Sequence, residues 1–168
     1  TIDILNECRN RIASMAFIHS TLYLTKDFTS INFAEYVNNI AGNLHQSYVS
    51  SDKKIVLQID VPKVFLHIDD AIPCGLIINE LLSNAFKYGF LKKKKGAAGI
   101  SVKVKKENII LAIWDNGSGF PKTVDYKNTE SLGLQLVISL VEQIGGKIKI
   151  ESRANEGTKF IIAFRKTK

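Results

Sequence analysis

The sequence predicts an α+β fold: a two-layer α/β sandwich with a mixed, mostly antiparallel sheet, plus an N-terminal helix. Three observations lead there. Strand-like and helix-like runs follow one another irregularly, without the repeated strand–helix–strand unit of a doubly wound parallel sheet. Most neighbouring strand runs are joined by short turns, the mark of hairpins. One segment, 79–90, pairs an apolar helix face with a row of polar groups.

Composition sets the frame. Hydrophobic residues fill 45% of 168 positions, enough for a core and for one domain, alone or with a short appendage. No apolar run approaches the roughly 18 residues that cross a bilayer. Thr1 to Asn10 is polar and periodic, unlike a secretory leader. Cys8 and Cys74 are far apart and lack a C-x-x-C partner, so both are expected to pack as small apolar groups in a reducing cytosol. The net charge is +7, and much of the excess lies in Lys92–Lys95. That run lacks interleaved aromatics and a DNA-reading motif, so it reads as a solvated loop and no nucleic-acid partner is expected. The chain opens with Thr inside a helical pattern, which reads as a piece of a longer protein.

The elements follow in order. Residues 2–24 carry Ile4, Cys8, Ile12, Met15, Ile18 and Leu22 at spacings of three and four, one buried stripe of a helix that packs on another helix. His19 lies beside the stripe. Asp27, Thr29 and Ser30 are cap candidates for a second helix over 31–48, with Phe33, Tyr36, Val37, Ile40, Leu44 and Tyr48 on one face. Residues 55–61 and 64–68 read as strands of a hairpin about Pro62-Lys63. Asp69-Asp70 starts a third helix, about 70–88, stopped by Gly89. Strands are expected over 99–105 and 108–114, a helix over 132–144 ended by Gly145-Gly146, and closing strands over 147–152 and 158–164.

Three stretches carry chemistry. Glu80, Asn84 and Lys87 stand at i, i+4 and i+7 and project from one helix face. Carboxylate and amide oxygens suit Mg²⁺, and a lysine suits phosphate. Alone, this is equally an amphipathic helix meeting water. Asp115 ends an apolar strand and heads Asp115-x-Gly117-x-Gly119. A carboxylate there can accept a hydrogen bond from an exocyclic amine, although the pentapeptide is also ordinary turn chemistry. Ser131-Leu132-Gly133-Leu134 enters a helix whose N-terminus can face phosphate. The order and spacing of the three argue against coincidence.

With those motifs in hand, the chain resembles the ATPase domain of sensor histidine kinases, within the GHKL superfamily. Asn79-Glu80-x-x-x-Asn84-Ala85-x-Lys87-Tyr88, Asp115-x-Gly117-x-Gly119, Gly133-Leu134-x-Leu136-Val137 and Gly157-Thr158 carry the likeness over 70–164. Arg11-Ile12-Ala13-Ser14-Met15 through Tyr23 resembles the second dimerisation helix of one kinase subgroup with a short lid, matching the short 120–131. The resemblance implies a Bergerat-type fold, with 1–29 a remnant of the dimerisation and phosphoacceptor domain and 30–168 the ATP-binding catalytic domain. It implies ATP and Mg²⁺ as cofactors. Asn84 would coordinate Mg²⁺, Glu80 would act catalytically by orienting water or the metal shell, Lys87 would contact phosphate, and Tyr88 would lie against adenine. Asp115 would bind the adenine amine over a floor shaped by Gly117 and Gly119. Ser131, Leu132, Gly133 and Leu134 would place backbone at the phosphates, and Thr158 would line the base pocket.

The phosphoacceptor motif of the family is missing. His19 is followed by Ser20 where an acidic neighbour is usual, so the acceptor is expected upstream of Thr1. The implied function is transfer of the ATP γ-phosphate to that histidine, with a response regulator as partner, a homodimer in the full-length protein, no direct membrane contact by this segment, and a cytoplasmic location whether or not the parent is membrane-anchored. The alternatives are a non-catalytic nucleotide-binding regulatory module, or a relative such as an anti-sigma serine kinase or a DNA-repair ATPase. The N-terminal Met-x-x-x-His pattern favours the sensor kinase.

Overall fold

The computed structural model describes residues 30–120 and 131–167, together with Ile12, Ala16 and Ser20, which are helical and exposed. The remainder of the expected N-terminal helix, with Cys8 and His19, the cap candidates Asp27 and Thr29, and residues 121–130 of the expected lid lie outside the described residues. Among the described residues no helix is long and apolar enough to cross a membrane.

The chain runs β1 (Ile31–Asn32), α1 (Phe33–Tyr48), β2 (Lys54–Asp60), β3 (Phe65–Leu66) and α2 (Ile68–Asn84). A π-helical turn, Ala85–Gly89, continues α2. Then come β4 (Lys95–Lys105), β5 (Asn108–Asp115), α3 (Leu132–Gln143), β6 (Lys147–Arg153) and β7 (Gly157–Arg165). The five long strands form a sheet in the order β2-β4-β5-β7-β6. All pairings in it are antiparallel except β2 with β4, so the sheet is mixed and mostly antiparallel.

Register explains why one face of this sheet is a core. Ile59, Ile100, Ile113, Phe160 and Ile150 are aligned across all five strands. Two residues along, Val102, Leu111, Ile162 and Ile148 form the next row. Alternate residues share a face, so these rows are stacked on one side, where β-branched side chains pack well. The helices cover them with Phe33, Val37, Ile77, Ile78, Leu82 and Val137, all fully buried. At the opposite limit, the row Leu57, Ala98, Asp115, Thr158 and Ser152 turns polar on the same face. The helix-covered side of the sheet thus passes from hydrocarbon to hydrogen-bonding groups at one end.

Local sequence accounts for the helix ends. Asn32, rather than Ser30, caps α1, its side-chain oxygen accepting from the Glu35 N–H at 3.4 Å. His67 caps α2 two residues before the expected start, its Nδ1 accepting from the Asp69 N–H at 3.3 Å. Asp70 is instead buried and accepts from the Thr167 N–H at 2.6 Å and the Thr167 hydroxyl at 3.1 Å, tying the C-terminal segment to α2. Cys74 is fully buried, as expected of a small apolar group, and burial pushes its thiol pKa up.

The expected hairpin over 55–68 does not form. β2 pairs in parallel with β4, and β3 pairs with β1 as a separate two-residue sheet. Both apolar runs are real, but Ile55, Leu57 and Ile59 extend the helix-facing rows of β4, which a turn at Pro62 could not supply. β4 also begins four residues earlier than expected, at Lys95, because its pairing with β2 starts there.

Candidate functional site

A cavity of about 440 Å³ opens at the polar end of the sheet, between it and the helices. Its volume lies in the range of small-ligand sites.

The wall from α2 comes first. Asn79, Glu80, Ser83 and Asn84 line the cavity, and Asn79, Glu80 and Ser83 are buried. Helix continuity ends at Asn84, where the wider π turn begins. That turn brings Ala85, Lys87, Tyr88 and Gly89 to the cavity as well. Single π turns often mark such sites. Phe86 faces inward and meets the His45 ring edge-on, centroids 5.7 Å apart. His45, which has no spaced ligand partner in the sequence, is placed structurally, with Nε2 2.7 Å from the Ile55 carbonyl oxygen. Tyr48, at the end of α1, lines the cavity and carries the Lys87 ammonium 5.3 Å from its ring centroid.

The floor comes from the ends of β5 and β7. Asp115 and Thr158 are register partners, and both line the cavity. Burial pushes the Asp115 carboxyl pKa up. The Gly117 N–H, at 2.8 Å from Oδ1, the Lys93 charge and the Thr158 N–H oppose that shift. The following loop is bound on every side. Asn116 exchanges bonds with Ala97, its N–H donating at 3.0 Å and its Oδ1 accepting at 2.8 Å. Ser118 donates to the Gly89 carbonyl through its N–H at 2.8 Å and its Oγ at 3.1 Å. Phe120 donates its N–H to Ser152 Oγ at 2.8 Å. Gly119 and Gly157 adopt positive φ, +69° and +103°, and a Cβ on Gly157 would strike the Asp115 carbonyl.

The third wall is the start of α3. Ser131, Leu132, Gly133 and Leu134 line the cavity. First-turn N–H groups have no acceptor within a helix, so this end favours anions. Ser131 holds the N-cap position without a side-chain cap bond.

The structure therefore brings Glu80, Asn84, Lys87, Tyr88, Asp115, Gly119, Ser131, Leu132, Gly133, Leu134 and Thr158 around one cavity. Gly117 is not on its surface; it lies behind Asp115. Sequence reasoning did not single out Tyr48, Ser83, Phe120 and Phe160, which also line it. The first two were legible only as helix residues. The lysine run needs correcting. Lys92, Lys94 and Lys95 are exposed, but Lys93 is half-buried and bound to the Asp115 loop.

A cavity flanked by an anion-favouring helix end and a half-buried carboxylate has the parts a nucleotide site needs. Comparison with known proteins names its kind. The profile of "Histidine kinase-, DNA gyrase B-, and HSP90-like ATPase" matches residues 69–168, and a second, "Histidine kinase", matches residues 1–48. The chain belongs to the first of these families, as an ATP-binding domain of the sensor histidine kinase type. The sensor histidine kinase PdtaS of Mycobacterium tuberculosis (strain ATCC 25618 / H37Rv) is 26% identical over 165 residues, 95% of this chain and 32% of the relative. Blue-light-activated histidine kinase 2 of Erythrobacter litoralis (strain HTCC2594) is 25% identical over 129 residues, 76% of this chain and 36% of the relative. The chain thus spans about a third of the length of these curated relatives. The solved histidine kinase domain of Erythrobacter litoralis EL346 blue-light activated histidine kinase superposes with a TM-score of 0.84 at 20% identity, covering 94% of this chain and 73% of that one, a likeness of fold.

Proposed function

We propose that this chain is the ATP-binding catalytic core of a two-component sensor histidine kinase, holding Mg-ATP in the cavity and donating its γ-phosphate to a histidine of the helical domain. The observation that carries the reading is the convergence of three motifs, distant in sequence, on one cavity. The match of residues 1–48 to a histidine kinase profile, and the names of the relatives, support it.

The donor set fits a hard cation. Among the described residues there is no cluster of three or more His, Cys, Asp or Glu that could hold a metal. Mg²⁺ takes one or two protein oxygens and completes its shell with phosphate and water, and Glu80 and Asn84 both line the cavity with side chains that carry oxygen donors. Asn84 would hold it with Glu80 orienting its outer shell, and it would neutralise charge on the phosphates. Lys87 and the N–H groups of Leu132, Gly133 and Leu134 would bind phosphate oxygens. Asp115 would accept the adenine amine, beside Thr158, with Tyr88 against the base and Gly117 and Gly119 setting the loop. Phosphoryl transfer asks the protein mainly for such positioning and charge neutralisation.

Residues 30–168 form the catalytic domain in this proposal, and 1–29 belong to the dimerisation domain. The partners are a second copy of the full-length protein and a response regulator, in the cytoplasm. Calorimetric titration of Mg-ATP tests the site. The proposal expects binding by the native chain and its loss in Asn84→Ala. Unchanged tight binding by the variant would remove Asn84 from the metal site, and no binding by the native chain would overturn the whole reading. Acid-labile phosphate on histidine after incubation of the full-length protein with labelled ATP tests the transfer.

A further inference from the structure

The four consecutive lysines are not equivalent. Lys93 Nζ donates to the carbonyl oxygens of Asn116 at 2.9 Å, Gly117 at 2.8 Å and Asn155 at 3.2 Å. An ammonium carries three protons, and three carbonyls from two loops take them. The stem is fixed too. The Lys93 N–H donates to the Phe90 carbonyl at 3.3 Å, and Lys53 Nζ donates to the same oxygen at 3.0 Å. Lys93 does not line the cavity.

What Lys93 holds is the peptide between Asn116 and Gly117. The carbonyl of that unit accepts from Lys93 Nζ, and its N–H donates to Asp115 Oδ1 at 2.8 Å. A cation on the oxygen of a peptide polarises it and strengthens the bond its N–H makes. The Gly117 carbonyl belongs to the next peptide, whose N–H donates to Gly89 at the end of the π turn. The Asn155 carbonyl brings in the β6–β7 turn, and the Asn155 N–H already donates to the Ser118 carbonyl at 2.8 Å. One ammonium therefore ties together the loop after β5 and the turn before β7, the strands that present Asp115 and Thr158.

We propose that Lys93 is the positioning residue for base recognition, fixing through the Asn116–Gly117 peptide the place at which Asp115 meets adenine without itself touching the nucleotide. This rests on the reading of Asp115 as the adenine-binding carboxylate. It differs from the obvious role of a lysine near ATP, which is attraction of phosphate. The two roles separate by ligand: loss of a base-positioning group weakens adenosine as much as ATP, whereas loss of a phosphate-attracting charge spares adenosine.

The test is calorimetry with adenosine, ADP and Mg-ATP on the full 168-residue chain and on Lys93→Met, Lys93→Arg, Lys94→Met and Asp115→Asn. The expected result for Lys93→Met is a loss of about tenfold, the scale of one charge-assisted hydrogen bond, equal for all three ligands. Lys93→Arg recovers part of it, and Lys94→Met changes nothing. A loss confined to ADP and ATP would overturn the proposal in favour of phosphate attraction. A lowered melting temperature with unchanged adenosine affinity would overturn it in favour of a purely structural role. If Lys93→Met does not fold, Lys93→Gln is read in the same way. Asp115→Asn separates the failures: if it costs affinity while Lys93→Met does not, only the Lys93 proposal falls; if it costs none, the reading of Asp115 falls first.

Discussion

The ammonium of Lys87 stands 5.3 Å from the centroid of the Tyr48 ring. The last residue of α1 thus steers a side chain carried by the π turn after α2, and both line the cavity. A cation over an aromatic face is worth about 0.5–1 kcal/mol where solvent reaches it. Tyr48→Leu is expected to weaken Mg-ATP by about two- to fivefold, on that scale, and to leave adenosine unchanged. Titration calorimetry with both ligands checks it, and an equal loss for adenosine would place Tyr48 at the base instead.

In the proposed reading, Asp115 trades stability for recognition. Its carboxyl pKa is raised in the fold by burial. A raised carboxyl favours the protonated form, so its contribution to stability is full below the ordinary value of 3.8 and is lost as pH rises through the folded value. Asp115→Asn escapes that loss. The variant is expected to melt at a higher temperature than the native chain at neutral pH, with the gap growing through the window above 3.8 and then levelling. The same variant should discriminate less between adenosine and guanosine. Melting curves over a pH series test the first expectation, and a gap that narrows with rising pH would contradict it.

Among the described residues the buried Tyr36 hydroxyl, set against Gly75, has no hydrogen-bond partner, and its pKa is pushed up by burial. An unsatisfied buried hydroxyl costs about 1–3 kcal/mol. Tyr36→Phe keeps the ring and removes the cost, so chemical denaturation should show a gain of about 1 kcal/mol with nucleotide affinity unchanged. A loss of stability would reveal a partner for the hydroxyl.

Gly157 combines a φ of +103° with close approach to the Asp115 carbonyl and Asn116 Cα. Gly157→Ala is expected to destabilise the chain by about 2 kcal/mol or more and to weaken nucleotide binding, because the collision displaces the backbone that carries Asp115. Denaturation and calorimetry on one preparation check both. Native affinity in a destabilised variant would uncouple the turn from the site.

Much of the fold was legible because periodicity reports which side chains face a core. The helices over 33–48 and 132–143 and the strand ending at Asp115 stand close to where the pattern puts them. What failed depends on partners distant in sequence. Periodicity makes 55–61 and 64–68 strands but cannot say that one joins β4 and the other β1. The cavity was legible in its motifs, since Glu80, Asn84 and Lys87 are related by helical geometry. Tyr48 was not, because only packing of α1 beside α2 delivers it. Lys93 was hidden for a different reason: nothing local separates it from the three lysines beside it.

The strand order β2-β4-β5-β7-β6 has a consequence for how the protein comes into being. Asp115 sits on the middle strand, yet its neighbour Thr158 is 43 positions later on β7. A chain emerging from the ribosome can complete β4 and β5 and still own only half of the proposed base pocket. Nucleotide affinity should therefore arise in one step, when the last hairpin docks. ATP then stabilises the finished domain by mass action, and it offers nothing to a chain truncated ahead of Gly157.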